Sequence, residues 1–207
     1  MTSIARYVIA IVLVVVVSLA GAALFIVSGV YNIGADEPHW PLTHRAIEAL
    51  RDRSIDARAK ALAVPPLDDP ALVLKGAGEY VAMCTGCHLA PGMDDSEMRQ
   101  GLYPQPPDLS KMRVAPETAF WVIKHGIKMT AMPAWGQTHD DATIWSMVAF
   151  LKKLPDLSPE AYRDLAAEAS ADDGHDDHHH GHHHGAADTH GSDEHSGESP
   201  DGHHEHD

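Results

Sequence analysis

Cysteine is almost missing from this chain of 207 residues, and both copies fall in Cys84-Thr85-Gly86-Cys87-His88. So few thiols exclude a disulfide-built scaffold. A bridge across two intervening residues would also close too small a loop to constrain the unfolded chain much. Strand-like alternation is lacking between residues 67 and 157. That removes the β-α-β setting in which a thiol–disulfide exchange motif of this spacing normally sits. A zinc site would want a second pair of ligands, which the histidines of the C-terminal tail could supply, though from a flexible segment. Charge is absent from Tyr7 to Ala35, and lysine and arginine are absent from residue 172 onward. Up to residue 171 the chain has 15 basic and 19 acidic side chains, a net of −4, which gives no footprint for nucleic acid.

The uncharged run is apolar enough to cross a bilayer, which takes about 20 residues in a helix. Ile9 to Val17 is aliphatic throughout apart from Ala10. A cleaved secretory signal would be shorter and end in small residues such as Ser18-Leu19-Ala20-Gly21-Ala22, yet Leu24-Phe25-Ile26-Val27 carries the run beyond them. We therefore expect residues 1–35 to be an uncleaved transmembrane anchor. Arg6 precedes the span while Asp36 and Glu37 follow it. The positive-inside bias then leaves the N-terminus in the cytoplasm and the remainder outside. In a bacterium that means one pass through the inner (cytoplasmic) membrane, with everything after the anchor in the periplasm. Tyr31 and Trp40 are expected at the outer interface, where amphipathic rings are favoured.

Beyond the anchor, Pro38-His39-Trp40-Pro41 breaks the chain. Thr43 is placed to cap a helix running to about Ala63, with a thin stripe of Ile47, Leu50 and Ile55; residues 36–66 read as a juxtamembrane helical spacer. Val64-Pro65-Pro66 ends it, because proline lacks an amide hydrogen and bars helix to its predecessor. Asp69-Pro70 is an N-cap followed by a first-turn proline, opening a helix whose face carries Val73, Ala77, Tyr80, Val81 and Cys84. A loop rich in proline and glycine follows from Ala90 to Ser110. A second helix is predicted from Pro116-Glu117 to Gly126, where a left-handed cap is expected. A third begins at Asp140 or Asp141, with Ile144, Met147, Val148, Leu151 and Leu154 at helical spacing. Residues 67–157 thus form an all-α domain with a small core. Residues 158–171 read as a short helical linker, and 172–207 as a disordered tail.

One chemistry accounts for every position of the cysteine stretch. C-x-x-C-H is the attachment signature of a c-type haem. Cysteines three apart put both sulfurs within one helical turn for thioether bonds, and the next histidine presents its imidazole to the iron. An extracytoplasmic location agrees with this.

On these residues, segment 67–157 resembles a monohaem class I c-type cytochrome. The resemblance implies one covalent haem c in a crevice between the first and last helices, held by Cys84 and Cys87 with His88 as one axial ligand. It further implies a methionine ligand before a proline. Gly126-Ile127-Lys128-Met129-Thr130-Ala131-Met132-Pro133-Ala134-Trp135-Gly136 supplies that motif, in which Met132 matches the family pattern and Met129 does not. Pro133 also restricts Met132 to extended backbone. The rivals are methionine as ordinary core filler, and bis-histidine ligation through His125 or His139. The family implies, too, that Gly76 or Ala77 packs on the last helix near Trp145. It implies that a carbonyl of the proline loop, Pro106 or Pro107, orients His88. Trp121, Trp135, Tyr103 and Leu109 are candidates both for the crevice lining and for plain core.

The tail holds 12 histidines and 11 acidic residues. Its low complexity and self-repulsion argue against a packed core. Imidazoles beside carboxylates suit copper, nickel or zinc, with His178, His179, His180, His182, His183 and His184 the densest candidate ligands. Its side-chain charge is −11 with neutral histidines and +1 with all of them protonated, below about pH 6.5.

A His/Met site leaves iron no free coordination position, so the resemblance implies an electron carrier without catalytic residues, of relatively high potential. Its partners would be membrane-bound redox donors and acceptors of a respiratory chain or dehydrogenase, kept close by the anchor. Two other functions stay open. One is a periplasmic metal-binding protein whose tail is the main functional element. The other is a haem enzyme or ligand sensor, which requires Met132 off the iron.

Overall fold

A computed structural model describes residues 3–176, with side chains to 171. The tail histidines 178–184, with their expected metal sites and disorder, lie outside the described residues. Helix α1 spans Ser3–Ser28 and buries none of its side chains. Its 26 residues are long and apolar enough to cross a membrane.

The chain turns at Pro38 to Pro41 and enters α2, Pro41–Ala59, with Pro41 in the first turn. The helix starts two residues before Thr43 and ends four before Ala63, so the cap expected at Thr43 does not form. Proline, already locked at helical φ and lacking an N–H that would go unpaired there anyway, opens the helix instead. Ile55 and Ala59 are buried, because α2 lies against α6.

Helix α3 (Pro70–Met83) opens as expected, with the Asp69 carboxylate accepting from the Ala71 amide. Ala77 and Tyr80 are buried on its inner face, whereas Val81 is exposed. The one-turn α4 (Thr85–His88) follows directly, and the one-turn α5 (Glu97–Gln100), capped by Ser96, interrupts the proline loop. Helix α6 runs Pro116–His125, and α7 runs Asp141–Lys153 behind the Asp140 cap. Gly126 has the positive φ, 63°, that favours glycine, but its ψ of −172° lies outside the left-handed helical well, so glycine ends α6 without the left-handed cap expected.

The two long sides of the domain meet where α3 crosses α7. A Cβ on Gly76 would overlap the Ser146 carbonyl, so glycine is what allows this crossing, one residue from Trp145. Trp145 stacks on Phe120 at 4.1 Å between ring centres, tying α7 to α6. Helix α8, Pro159–Asp176, packs on α3. Tyr162 and Ala169 are buried there in one cluster with Tyr80, Phe150 and Leu154. Among the described residues every regular element is helical, as the sequence predicted.

Candidate functional site

The site begins with the single turn of α4. Its amides keep the chain coiled from α3 into the histidine: Cys87 N–H and His88 N–H both donate to the Cys84 carbonyl, at 3.1 and 2.8 Å. Two tyrosines fix this turn from behind. The buried Tyr80 hydroxyl donates to the Leu89 carbonyl at 2.6 Å. Thr85 Oγ1 reaches the Tyr80 carbonyl and the Tyr162 hydroxyl, each at 3.1 Å. Leu89 has φ 62°, an unfavoured angle for a side-chain-bearing residue, and is held there by burial and the Tyr80 bond.

Neither cysteine is in a disulfide, and both are half-buried. Burial, reinforced by the nearby Glu79 carboxylate and Cys87, pushes the Cys84 thiol up to about 12. It is therefore a neutral thiol at neutral pH. The His88 ring is oriented by its Nδ1, 3.0 Å from the Pro107 carbonyl. A carbonyl only accepts, so Nδ1 carries the hydrogen and Nε2 is left with a free lone pair. Of the two prolines the sequence offered for this role, Pro107 has the contact. Pro106 instead accepts from Arg99 Nε at 3.0 Å. Burial lowers the His88 pKa, the Arg99 charge adds to this, and the Pro107 bond opposes it. The imidazole is thus neutral, as a metal ligand must be.

The methionine segment is built differently. Met132 N–H donates to Thr130 Oγ1 at 3.1 Å, and the Met132 carbonyl accepts from Ile127 N–H at 3.1 Å. Gly126 lies beneath it: a Cβ there would come within 2.7 Å of the Met132 carbonyl and 2.6 Å of Pro133 C. The Met132 side chain is half-buried against the cluster of Leu67, Ile123, Ile144 and Met147. Met129 is 99 % exposed, which leaves it no packed position.

Of the rival histidines, His125 is exposed beside Trp121, their rings 4.9 Å apart. His139 Nε2 lies 3.9 Å from Glu79, and its Nδ1 faces Thr138 Oγ1 at 2.8 Å. Trp135 and Leu109 pack against the two core clusters. Tyr103 turns the other way, toward the anchor, where its hydroxyl accepts from His39 N–H at 3.2 Å. Arg99 was not singled out from the sequence. Its only local signal is the Ser96 cap three residues earlier, whose hydroxyl accepts from Arg99 N–H. Tyr80, Thr85 and Tyr162 were likewise passed over as supports, because their partnership is set by tertiary structure.

Two thiols one turn apart, an imidazole with a bare Nε2 and a methionine on a pinned loop form a donor set that fits a covalently attached haem. Together with the all-helical frame, they have the character of a c-type cytochrome domain. Residues 71–151 match the family model described as cytochrome c oxidase, cbb3-type, subunit III. This segment is a c-type cytochrome domain, which implies haem c binding and the work of an electron carrier. The match leaves α1, α2 and α8 outside it. Among curated proteins, none matches the chain.

Proposed function

We propose that the protein is a membrane-anchored carrier that passes single electrons through one haem c, attached to Cys84 and Cys87 and ligated by His88 and Met132. The observation that carries this reading is the His88 ring. It follows the two cysteines on the same turn, and the Pro107 carbonyl holds its other nitrogen at 3.0 Å. When bound, the haem supplies reversible one-electron chemistry. The residues' part is to keep the ligand set unchanged in both oxidation states, so that little rearranges as an electron passes. Pro107 holds the imidazole, while Thr130, Gly126 and Pro133 hold the thioether. The domain matched at 71–151 is extended at both ends by α2 and α8, which pack on it.

Helix α1 fits a single-pass anchor, with the N-terminus in the cytoplasm and the haem domain in the periplasm of a bacterium. Tethering raises the effective concentration of the domain near membrane redox partners. The family description supports a place as a subunit of a larger oxidoreductase. The test is a reduced-minus-oxidised absorption spectrum extended to the near infrared. Protein with the proposed ligands shows a c-type spectrum and a sulfur–iron band that Met132→Ala abolishes and Met129→Ala preserves. Loss of the band in Met129→Ala with retention in Met132→Ala would reassign the ligand.

A further inference from the structure

Where the chain leaves α1 it folds back over the haem domain and borders an open cavity of about 660 Å³, with His39, Trp40, His44, Arg45 and Tyr103 in its wall. The size is within the range of small-ligand sites. One side of the cavity is aromatic and continuous with the end of α1. Trp40 lies 6.0 Å from Phe25 and 5.0 Å from Tyr31, ring centre to ring centre. The other side offers donors. Arg45 is exposed and has no ion-pair partner among the described residues. The Tyr103 hydroxyl accepts from His39 N–H at 3.2 Å. His44 stands 3.5 Å from the same hydroxyl. No carboxylate lines the cavity. The nearest on α2, Glu48, is turned to His44 at 3.2 Å and to Arg51 at 3.8 Å.

We propose that this cavity holds the phosphate of an anionic phospholipid, with Arg45 as the principal contact and Tyr103 and the His39 ring beside it. A guanidinium matches phosphate geometry through paired hydrogen bonds. A lipid is favoured over a free anion because the cavity opens at the end of the apolar helix. There Val30, Ile33 and Leu42 are exposed and offer an acyl chain a surface. Because Tyr103 belongs to the loop that also carries Pro106 and Pro107, a lipid held here would set how the haem domain stands on the membrane. The proposal rests on α1 spanning the bilayer.

The test uses the full chain, carrying its haem, reconstituted in bilayers of phosphatidylcholine with a minor share of phosphatidylglycerol. It is then released into mild detergent, and retained lipid is counted by native mass spectrometry. The expected result is selective retention of phosphatidylglycerol. Arg45→Gln should cut it about fivefold, the weight of one basic side chain at an anionic surface. Arg53→Gln, on the same helix but outside the cavity, should leave it unchanged. Equal retention of both lipids, or equal losses in the two variants, would overturn the proposal. So would displacement of the lipid by inorganic phosphate, which would mark a free-anion pocket. Release of the chain from native membranes by alkaline washing would instead refute the anchor itself, so the two failures are distinguishable.

Discussion

The histidine side and the methionine side of the site are held to different degrees. His88 belongs to a helical turn fixed by its own amides, by Tyr80 and Thr85 behind it, and by Pro107 on its ring. Removing any one of these contacts leaves the others. Met132 hangs on a loop pinned at Thr130, Ile127 and Gly126, with its side chain half-buried. The lesson is that the proposed thioether ligand should yield first under stress, by substitution, heat or denaturant, while the proposed imidazole ligand holds.

The largest effects should come from the tighter side. Cys84→Ser with Cys87→Ser, or His88→Ala, should abolish stable haem loading, read as loss of the covalent haem signal on a denaturing gel. If His88→Ala still loads haem in full, the comparison is inverted. On the looser side, Gly126→Ala places a Cβ against Met132 and Pro133 at a backbone angle that disfavours it. A cost of about 1–3 kcal/mol to the loop is expected. The near-infrared sulfur band should then weaken and carbon monoxide should bind the reduced protein, while covalent haem stays in place. Gly76→Val should cost a similar amount, about 1–3 kcal/mol, but by forcing α3 from α7. Its signature is a lower melting temperature with the sulfur band intact at low temperature. Thr130→Ala removes one partly buried bond to the Met132 amide and should cost about 1 kcal/mol, seen as earlier loss of the band in a denaturant titration.

Acid provides a gentler probe of the tighter side. Asp108 follows Pro107. Partial burial pushes its carboxyl up, but Lys111 at 2.7 Å and the Ser110 hydroxyl and amide outweigh this and hold it below the ordinary range. A carboxylate lowered on folding adds stability above its unfolded pKa, about 3.9. That stability is lost as pH falls from there through the lower folded value. Asp108→Asn should therefore lower stability near neutral pH and flatten the acid limb below about pH 4. An unchanged acid limb would show that this anchor of the proline loop is inert.

What was legible in the sequence was what is local. Cysteine spacing and the Asp69 and Asp140 caps each depend on a few consecutive residues, whereas the Gly76 crossing was expected only from the family resemblance. The docking of α2 and α8 was not legible, since α2 buries only Ile55 and Ala59, and Tyr162 and Ala169 are the buried positions among the described side chains of α8. Such sparse contacts make no stripe for a periodicity argument. Arg99 was hidden for a related reason. Its value comes from reaching Pro106 across a loop, which no spacing rule encodes. Tyr103 was drawn to the haem crevice by its type, whereas its hydrogen bond lies with His39 in the juxtamembrane segment.

The central claim is a single porphyrin bonded through both cysteines. Intact-mass measurement of the chain, matured in a host that attaches haem to c-type cytochromes, tests it most directly. The account predicts the added mass of one haem and no thiol left to alkylate. A chain at its unmodified mass with two alkylatable thiols would contradict it.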